Sequence, residues 1–290
     1  MKSTLDQLRE MTTIVADTGD LSAVQQFRPL DCTTNPSIIL QSIATADFKE
    51  ILNESIAKGM SSGQDVETIC AELTVLVGSQ LVGLVSGRVS TEVEARLSFD
   101  VERSVARARE IISQYEDQGI GRDRVLIKLA ATWEGIKAAE QLQKDGIDCN
   151  LTLVFCLSQA RACGDVGAYL ISPFVGRITD WYSKKTGNKY NVDEDPGVVS
   201  VRKIYSYFKK HGFDTIVMGA SFRTTEQIEA LAGCDRLTIA PKLLEQLDNS
   251  KKTIQRKLFV EEGQESRSPI NQRDLLWELN ENEMAYTNLG

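Results

Sequence analysis

The sequence predicts an α/β protein built as a single closed (β/α)8 barrel, a TIM barrel, with additional helices and a C-terminal helical extension. Three observations lead there. Short β-branched runs alternate with longer amphipathic ones along the chain, eight of the short runs are strand candidates, and polar residues gather where those runs end. Alternation of this kind describes a parallel sheet covered by helices, and eight strands in one chain of this length close into a barrel more economically than they form an open sheet.

The strand candidates, in order, are Thr13–Asp17, Leu30–Thr34, Leu81–Ser90, Arg124–Ala130, Asp148–Phe155, Ala168–Ser172, Asp214–Met218 and Arg236–Ala240. Helical stretches separate them at Ser104–Asp117, Glu134–Lys144, Ser158–Asp165, Val198–Lys210 and Glu226–Ala232. Asp195-Pro196-Gly197 reads as a helix entry, a capping acid followed by the proline that the first helical turn tolerates. His211, the only histidine, precedes Gly212 where a helix C-terminus favours a cation and then a glycine, so capping is its expected role. The interval from Pro36 to Gln80 is long enough for more than one helix. No low-complexity linker divides the chain, so residues 1–290 are expected to form one barrel domain, with 241–290 as the helical extension packed on it.

Bulk properties bound the function without naming it. The 290 residues are 42% hydrophobic and 26% charged, with a formal net charge of −8. A large core follows, and no global basic footprint for nucleic acid exists. No apolar stretch approaches the roughly 20 residues of a membrane span, and the N-terminus lacks the apolar core of a signal peptide. A cytoplasmic protein with no membrane partner is expected. Cys32, Cys70, Cys149, Cys156, Cys163 and Cys234 form no CxxC pair and read as reduced, mostly buried thiols. One histidine also makes a Ser-His-Asp hydrolase or a multi-histidine metal site a poor fit.

The most informative residue is Lys128. It lies in Arg124-Val125-Leu126-Ile127-Lys128-Leu129-Ala130-Ala131-Thr132, an apolar run where a lysine is expensive to bury unless its chemistry is used. Side chains alternate along a strand, so Lys128 shares a face with Leu126 and Ala130 while Val125, Ile127 and Leu129 take the other. Both faces are dry. A dry setting favours the neutral amine that attacks carbonyls; the competing reading is a lysine paired with a carboxylate inside the fold, or one that snorkels out at a strand end. This segment alone leaves both open.

Active sites in such barrels sit at the C-terminal ends of the strands, and the polar residues obey that demand. Asp17 ends the first strand, Thr33 and Asn35 the second, Glu92 the third and Ser172 the sixth; Lys128 is late in the fourth, and Asn150 and Thr152 lie in the fifth. Parity agrees within each strand, pairing Val15 with Asp17, Thr33 with Asn35, Arg88 and Ser90 with Glu92, Asn150 with Thr152 and Leu170 with Ser172. The inference is a polar layer facing the barrel interior, in which two carboxylates surround one desolvated lysine. Taken singly, Asp17 also fits a turn before Thr18-Gly19, and Glu92 fits a helix cap.

At these residues the chain resembles the transaldolases. The segments that carry the resemblance are Ile14-Val15-Ala16-Asp17-Thr18-Gly19-Asp20, Asp31-Cys32-Thr33-Thr34-Asn35-Pro36-Ser37, Gly87-Arg88-Val89-Ser90-Thr91-Glu92-Val93, Ile127-Lys128-Leu129-Ala130-Ala131-Thr132-Trp133-Glu134-Gly135, Cys149-Asn150-Leu151-Thr152-Leu153, Ile171-Ser172-Pro173-Phe174-Val175-Gly176-Arg177 and Met218-Gly219-Ala220-Ser221-Phe222-Arg223. The likeness runs from the first residues to about Ala285. It implies a Schiff-base enzyme of the pentose phosphate pathway that moves a dihydroxyacetone unit from a ketose phosphate to an aldose phosphate, using no cofactor and no metal. Sugar phosphates are the implied partners, and a homodimer stays open.

The resemblance also implies roles. Lys128 is the Schiff-base nucleophile, Asp17 the base on the C4 hydroxyl, and Glu92 the proton shuttle acting through a water held with Thr152. Asn35, Asn150 and Ser172, together with Thr33, bind the three-carbon unit, while Arg223, Ser221 and Arg177 bind phosphate. Phe174 and Glu92 stand where the related fructose 6-phosphate aldolases carry a tyrosine and a glutamine. Three readings therefore run in parallel: a transferase, a Schiff-base lyase of the same fold, and a non-catalytic barrel. Members of the family usually continue past the Trp277 to Ala285 region into another helix, whereas this sequence stops at Gly290, and the resemblance implies more exposed apolar surface there.

Overall fold

The structure, a computed structural model, describes residues 2–260 and 267–289. Eight parallel strands close in sequence order into a barrel: β1 (Thr13–Asp17), β2 (Asp31–Thr33), β3 (Val89–Glu92), β4 (Val125–Ala130), β5 (Cys149–Val154), β6 (Leu170–Pro173), β7 (Ile216–Gly219) and β8 (Arg236–Ile239). The helices that precede and follow the early strands are α1 (Thr4–Arg9), α2 (Leu21–Phe27), α3 (Pro36–Ile43), α4 (Lys49–Ser62), α5 (Val66–Val82) and α6 (Val101–Asp117). Around the rest of the barrel come α7 (Trp133–Lys144), α8 (Leu157–Asp165), α9 (Gly176–Thr186), α10 (Pro196–Lys210), α11 (Thr225–Glu229) and α12 (Pro241–Asn249), and the chain continues into α13 (Gln272–Glu281) and α14 (Glu283–Leu289).

Sequence-level expectation and structure differ most at the third strand. Leu81 and Val82 of the expected Leu81–Ser90 strand end helix α5, and the strand begins only at Val89. The apolar run Leu81-Val82-Gly83-Leu84-Val85 is too short for its period to separate a buried helix end from a strand. The shift carries Glu92 from beyond the expected end into the last position of β3. The other seven strands lie within two residues of their expected bounds at each end.

Several entries into helices are set by single side chains. Asp195 accepts hydrogen bonds from the backbone N–H groups of Gly197 and Val198 at 2.8 and 3.1 Å, which starts α10 at Pro196 as the sequence suggests. His211 is the C-terminal cap residue of that helix, with Gly212 in the left-handed region after it. Asp20 caps α2 and Thr132 caps α7 in the same manner.

Two apolar layers hold the barrel. The larger lies between strands and helices and includes Ile127, Leu129 and Leu151 from the outward faces of β4 and β5. The smaller fills the barrel interior with Val15, Leu126, Leu170 and Met218. Below this plug, at the N-terminal ends of the strands, Arg236 pairs with buried Asp31, Arg88 pairs with Asp148 at 2.5 Å, and the Arg88 guanidinium lies 4.5 Å from the centre of the Tyr169 ring. Above it, at the C-terminal ends, the interior turns polar. The core of the barrel thus separates an ionic floor from a polar mouth.

Past β8 the chain packs back onto the barrel's outer helices. Leu275, Leu279, Met284 and Ala285 are buried, with α13 against α8 and α14 against α9. Ile270 N–H donates to Asp165 Oδ2 at 2.9 Å, and Lys185 pairs with Glu283. Leu276, Trp277 and Tyr286 on these helices face outward. Among the described residues, no helix is long and apolar enough to cross a membrane.

Candidate active site

Lys128 is 7% exposed in the middle of the barrel mouth. Its Nζ lies 2.7 Å from Glu92 Oε2 and donates to the Thr34 carbonyl at 3.0 Å. The cause is register: Glu92 and Lys128 are Cα partners across β3 and β4, so their side chains leave the sheet on the same side at the same height. Of the two readings of Lys128 that the sequence left open, the structure shows a lysine paired with a carboxylate inside the fold, and that pairing does not exclude the other. The carboxylate offsets the desolvation a lone ammonium would suffer there.

Asp17, at the last position of β1, is the second carboxylate of the mouth. Its Oδ1 accepts from Thr33 Oγ1 at 2.8 Å, and Thr33 Oγ1 lies 2.6 Å from Thr238 Oγ1 on β8. A hydroxyl has one proton to give. With Thr33 donating to Asp17, Thr238 must donate to Thr33, which fixes the direction of the chain. Burial pushes the Asp17 carboxyl above the usual carboxylate range; the nearby Lys128 charge and the Thr33 hydrogen bond oppose this, and the Glu92 charge adds to it.

On the far side of Lys128, a second chain runs along the interior. Ser172 Oγ donates to Asn150 Oδ1 at 2.7 Å, and Asn150 Nδ2 donates to Ser90 Oγ at 3.1 Å. Asn150 is the register partner of Lys128 on β5, fully buried, and held at both ends of its amide. Thr152, next on the same face, is also buried, and its Oγ1 has no hydrogen-bond partner among the described residues. Such an orphan hydroxyl is uncommon in a folded interior and points to a polar occupant.

Asn35 belongs to the mouth but not to a strand. It caps α3 through Oδ1, which accepts from Ile38 N–H at 2.9 Å. Asn35 also lines a cavity of about 510 Å³ whose walls include Asp17, Thr18, Ser37 and Gln41. Sequence parity placed Asn35 on β2 beside Thr33; the strand stops at Thr33 because Pro36 opens a helix instead.

The remaining site residues form a cationic rim over β6 and β7. Arg223 Nη1 donates to Ser221 Oγ at 3.3 Å, while Nε and Nη2 both reach Asp180 Oδ2, at 3.0 and 2.8 Å. Ser221 itself has φ 62°, a left-handed conformation that few non-glycine residues adopt. Across from it, Gly176 N–H donates to the Ser221 carbonyl at 2.6 Å. A Cβ on Gly176 would lie 2.3 Å from that oxygen and 2.8 Å from Arg223 Cγ, so only glycine allows this approach. Arg177 is exposed and sits over the Phe174 ring, 5.1 Å from its centre, and Phe174 meets Phe155 edge-on at 5.5 Å. Arg177 and Arg223 thus stand on the same rim, with different immediate partners.

Comparison with known proteins decides the relationship. Residues 14–289 match the Transaldolase/Fructose-6-phosphate aldolase family. The chain belongs to that family. Among its relatives, a protein named Transaldolase from Rhizobium etli (strain CIAT 652) is 55% identical over all of this chain and 92% of its own length. Proteins of the same name from Agrobacterium fabrum (strain C58 / ATCC 33970) and Shewanella woodyi (strain ATCC 51908 / MS32) are 53% and 52% identical over the whole chain, covering 92% and 93% of their own lengths.

For a member of the transaldolase/fructose-6-phosphate aldolase family, the mouth holds several groups to which sequence reasoning gave no role. Thr238 extends the Asp17 chain, Ser90 completes the Asn150 chain, the Thr34 carbonyl accepts a hydrogen bond from Lys128 Nζ, and Asp180 holds one edge of Arg223. Parity had already put Ser90 on the inner face with Glu92, and Thr238 was within its reach, being the register partner of the inward-facing Val15. Asp180 and the Thr34 carbonyl carry no local signal, because what they touch comes from other elements of the barrel.

Proposed function

We propose that this chain acts as a transaldolase: it takes a dihydroxyacetone unit from sedoheptulose 7-phosphate or fructose 6-phosphate and hands it to glyceraldehyde 3-phosphate or erythrose 4-phosphate, through an imine on Lys128. The observation that carries the reading is the buried Lys128–Glu92 pair at 2.7 Å in a mouth that also holds Asp17. A nucleophilic amine, a proton shuttle beside it and a second, separate carboxylate are what such a transfer requires.

Glu92 takes a proton from the Lys128 ammonium, and the free amine attacks the C2 carbonyl of the donor. The carbinolamine then loses water, Glu92 protonating the departing hydroxyl and Thr152 Oγ1 hydrogen-bonding the water released. Asp17, ionised, removes the C4 hydroxyl proton. The C3–C4 bond breaks, its electron pair enters the iminium to form an enamine, and the shortened aldose phosphate leaves. Enamine C3 next attacks the aldehyde carbon of the acceptor, and Asp17 returns its proton to the new hydroxyl. Hydrolysis of the imine frees the longer ketose and Lys128.

A carboxyl raised by burial suits Asp17, because the group must accept a proton and give it back. Arg223 Nη1 with Ser221 Oγ and the adjacent Arg177 bind the phosphate, for which a guanidinium is the fitting donor. Asn35 Nδ2, Asn150 and Ser172 orient the hydroxyls of the three-carbon unit.

The test has two arms. Incubation with fructose 6-phosphate, borohydride reduction and peptide mapping should place a three-carbon adduct on the Lys128 peptide. Ketose consumption should then depend on added glyceraldehyde 3-phosphate. Trapping on Lys128 with consumption independent of the acceptor would make the chain a lyase, and no trapping on any lysine would make it a non-catalytic barrel.

A further inference from the structure

Inside β5, one residue after Thr152, Leu153 has φ 58°. Positive φ in a strand is rare for a residue with a side chain, and here it coincides with a register shift between β5 and β6 that falls between Leu151 and Val154. The fold therefore builds a strained bulge directly beside the orphan Thr152 hydroxyl. Bulges next to sites re-aim side chains, and strain persists only where the surroundings enforce it.

The enforcing group is Gln159, in helix α8, whose side chain is fully buried. Its Nε2 donates to Leu153 O at 3.0 Å and to Ala131 O at 2.9 Å, and its Oε1 accepts from Phe155 N–H at 2.9 Å. Ala131 N–H in turn donates to Thr152 O at 2.8 Å. The peptide joining Thr152 to Leu153 is thus bracketed: one carbonyl hangs on Ala131, the next on Gln159, and Gln159 ties both to the end of the strand that carries Lys128. A neutral, planar carboxamide supplies the two donors and the acceptor that this arrangement needs.

We propose that Gln159 is a positioning residue for Thr152: by holding the Leu153 bulge against the end of β4, it sets where the Thr152 hydroxyl stands relative to Lys128 and Glu92. The inference rests on the transfer mechanism above and extends it to a side chain that touches no substrate. Gln159 acts through backbone, so its loss affects the steps in which Thr152 takes part, the loss and return of water at the imine, rather than phosphate binding.

The experiment is a double-mutant cycle on the rate of imine formation, read by timed borohydride trapping with fructose 6-phosphate. Gln159→Leu and Thr152→Val should each slow trapping by about tenfold or more, and the double variant should be no more than about twofold slower than Thr152→Val alone. KM for the phosphorylated donor should change little in Gln159→Leu. Multiplicative losses in the double variant would overturn the proposal, since a merely structural glutamine would damage both backgrounds equally.

A second route avoids dependence on the foldability of Gln159→Leu. Leu153→Val, whose branched side chain resists positive φ, should slow trapping at least about fivefold more than Leu153→Gly, which adopts it freely. Equal rates for these two would also overturn the proposal. Absence of any trapping in the unsubstituted protein would instead count against the transaldolase reading, so the two failures are distinguishable.

Discussion

Lys128 Nζ and Glu92 Oε2 meet at 2.7 Å because their Cα atoms are register partners on adjacent parallel strands. No loop brings them together. A pair built into strand register is held by the same hydrogen bonds that close the barrel, which is the most rigid support a proton-transfer pair can have. The Thr34 carbonyl, just past the end of β2 on the other side of β3, gives the amine a second fixed partner.

Replacing Lys128 should therefore remove chemistry and leave architecture. Lys128→Met is expected to lower transfer by on the order of 10⁴-fold or more, since the nucleophile is lost outright. Glu92→Gln should retain trapping at Lys128 but form the imine more slowly. Rapid-quench trapping of both variants checks the pair; unchanged imine formation in Glu92→Gln would remove Glu92 from the first step.

Asp17 links activity and stability to pH in opposite senses. The proposed mechanism requires its ionised form, so kcat should fall on acidification at a pH above the ordinary aspartate value of ~3.9. Stability runs the other way. A carboxyl whose folded-state pKa is raised binds more protons when folded than when unfolded, so its contribution declines as pH rises from the unfolded value through the folded one. Asp17→Asn keeps an oxygen for Thr33 and removes the buried charge; at pH 7 it should raise Tm by about 2–4 °C, an effect of roughly 1 kcal/mol. The gain should vanish below about pH 4, where both states of the native residue are protonated. Thermal melts at several pH values, beside cleavage assays, check both limbs.

The phosphate rim is expected to respond at Arg223 and at a glycine. Arg223→Ala should raise KM for phosphorylated sugars about 10–100-fold, matching loss of a charge-assisted contact of roughly 1.5–3 kcal/mol. Gly176→Ala should produce a related defect without touching a charge, because the new Cβ would lie 2.3 Å from Ser221 O and push the two loops apart. Overpacking of this kind costs about 1–3 kcal/mol of stability as well. Steady-state kinetics with phosphorylated and unphosphorylated acceptors separate the rim from the imine chemistry; equal losses on both would move the phosphate site elsewhere.

The floor of the barrel should matter for folding alone. Asp31 is buried, accepts from Arg88 N–H at 2.8 Å and pairs with Arg236, itself largely desolvated. Asp31→Ala leaves that guanidinium without its carboxylate, at a cost of about 3–5 kcal/mol. The apolar layer of Val15, Leu126, Leu170 and Met218 lies between this floor and the mouth. Urea melts should show the loss, while kcat of the folded fraction stays within about twofold, as expected for separated sites.

Much of the site was legible because a strand has period two. Once Asp17, Lys128, Asn150 and Ser172 were assigned to strands, alternation alone placed them on the inner face, and the barrel's polarity put them at one end. The reading failed where that period gives no information. Leu81–Ser90 mixed a helix end with a strand, since short apolar runs look alike in both. Asn35 followed the parity of β2 although Pro36 had already turned the chain into α3. Asp180, Gln159 and the Thr34 carbonyl were silent for a different reason: each is an ordinary residue until a partner from a distant segment reaches it.

By itself, then, the sequence determined the number and order of the strands and the bounds of seven, their closure into a barrel, which of their side chains face the interior, and the family to which those residues point. These are consequences of local periodicity and of the exclusion of apolar surface from water, and both can be read along the chain. Only the tertiary structure decided that Glu92 is the lysine's partner, that Thr33 relays Thr238 to Asp17, that Asp180 occupies an edge of Arg223, and that Gln159 pins the Leu153 bulge. Those contacts depend on strand register and on backbone groups aimed across the barrel. Distances of about 3 Å between residues far apart in sequence arise from closure of the whole sheet, which no local pattern encodes.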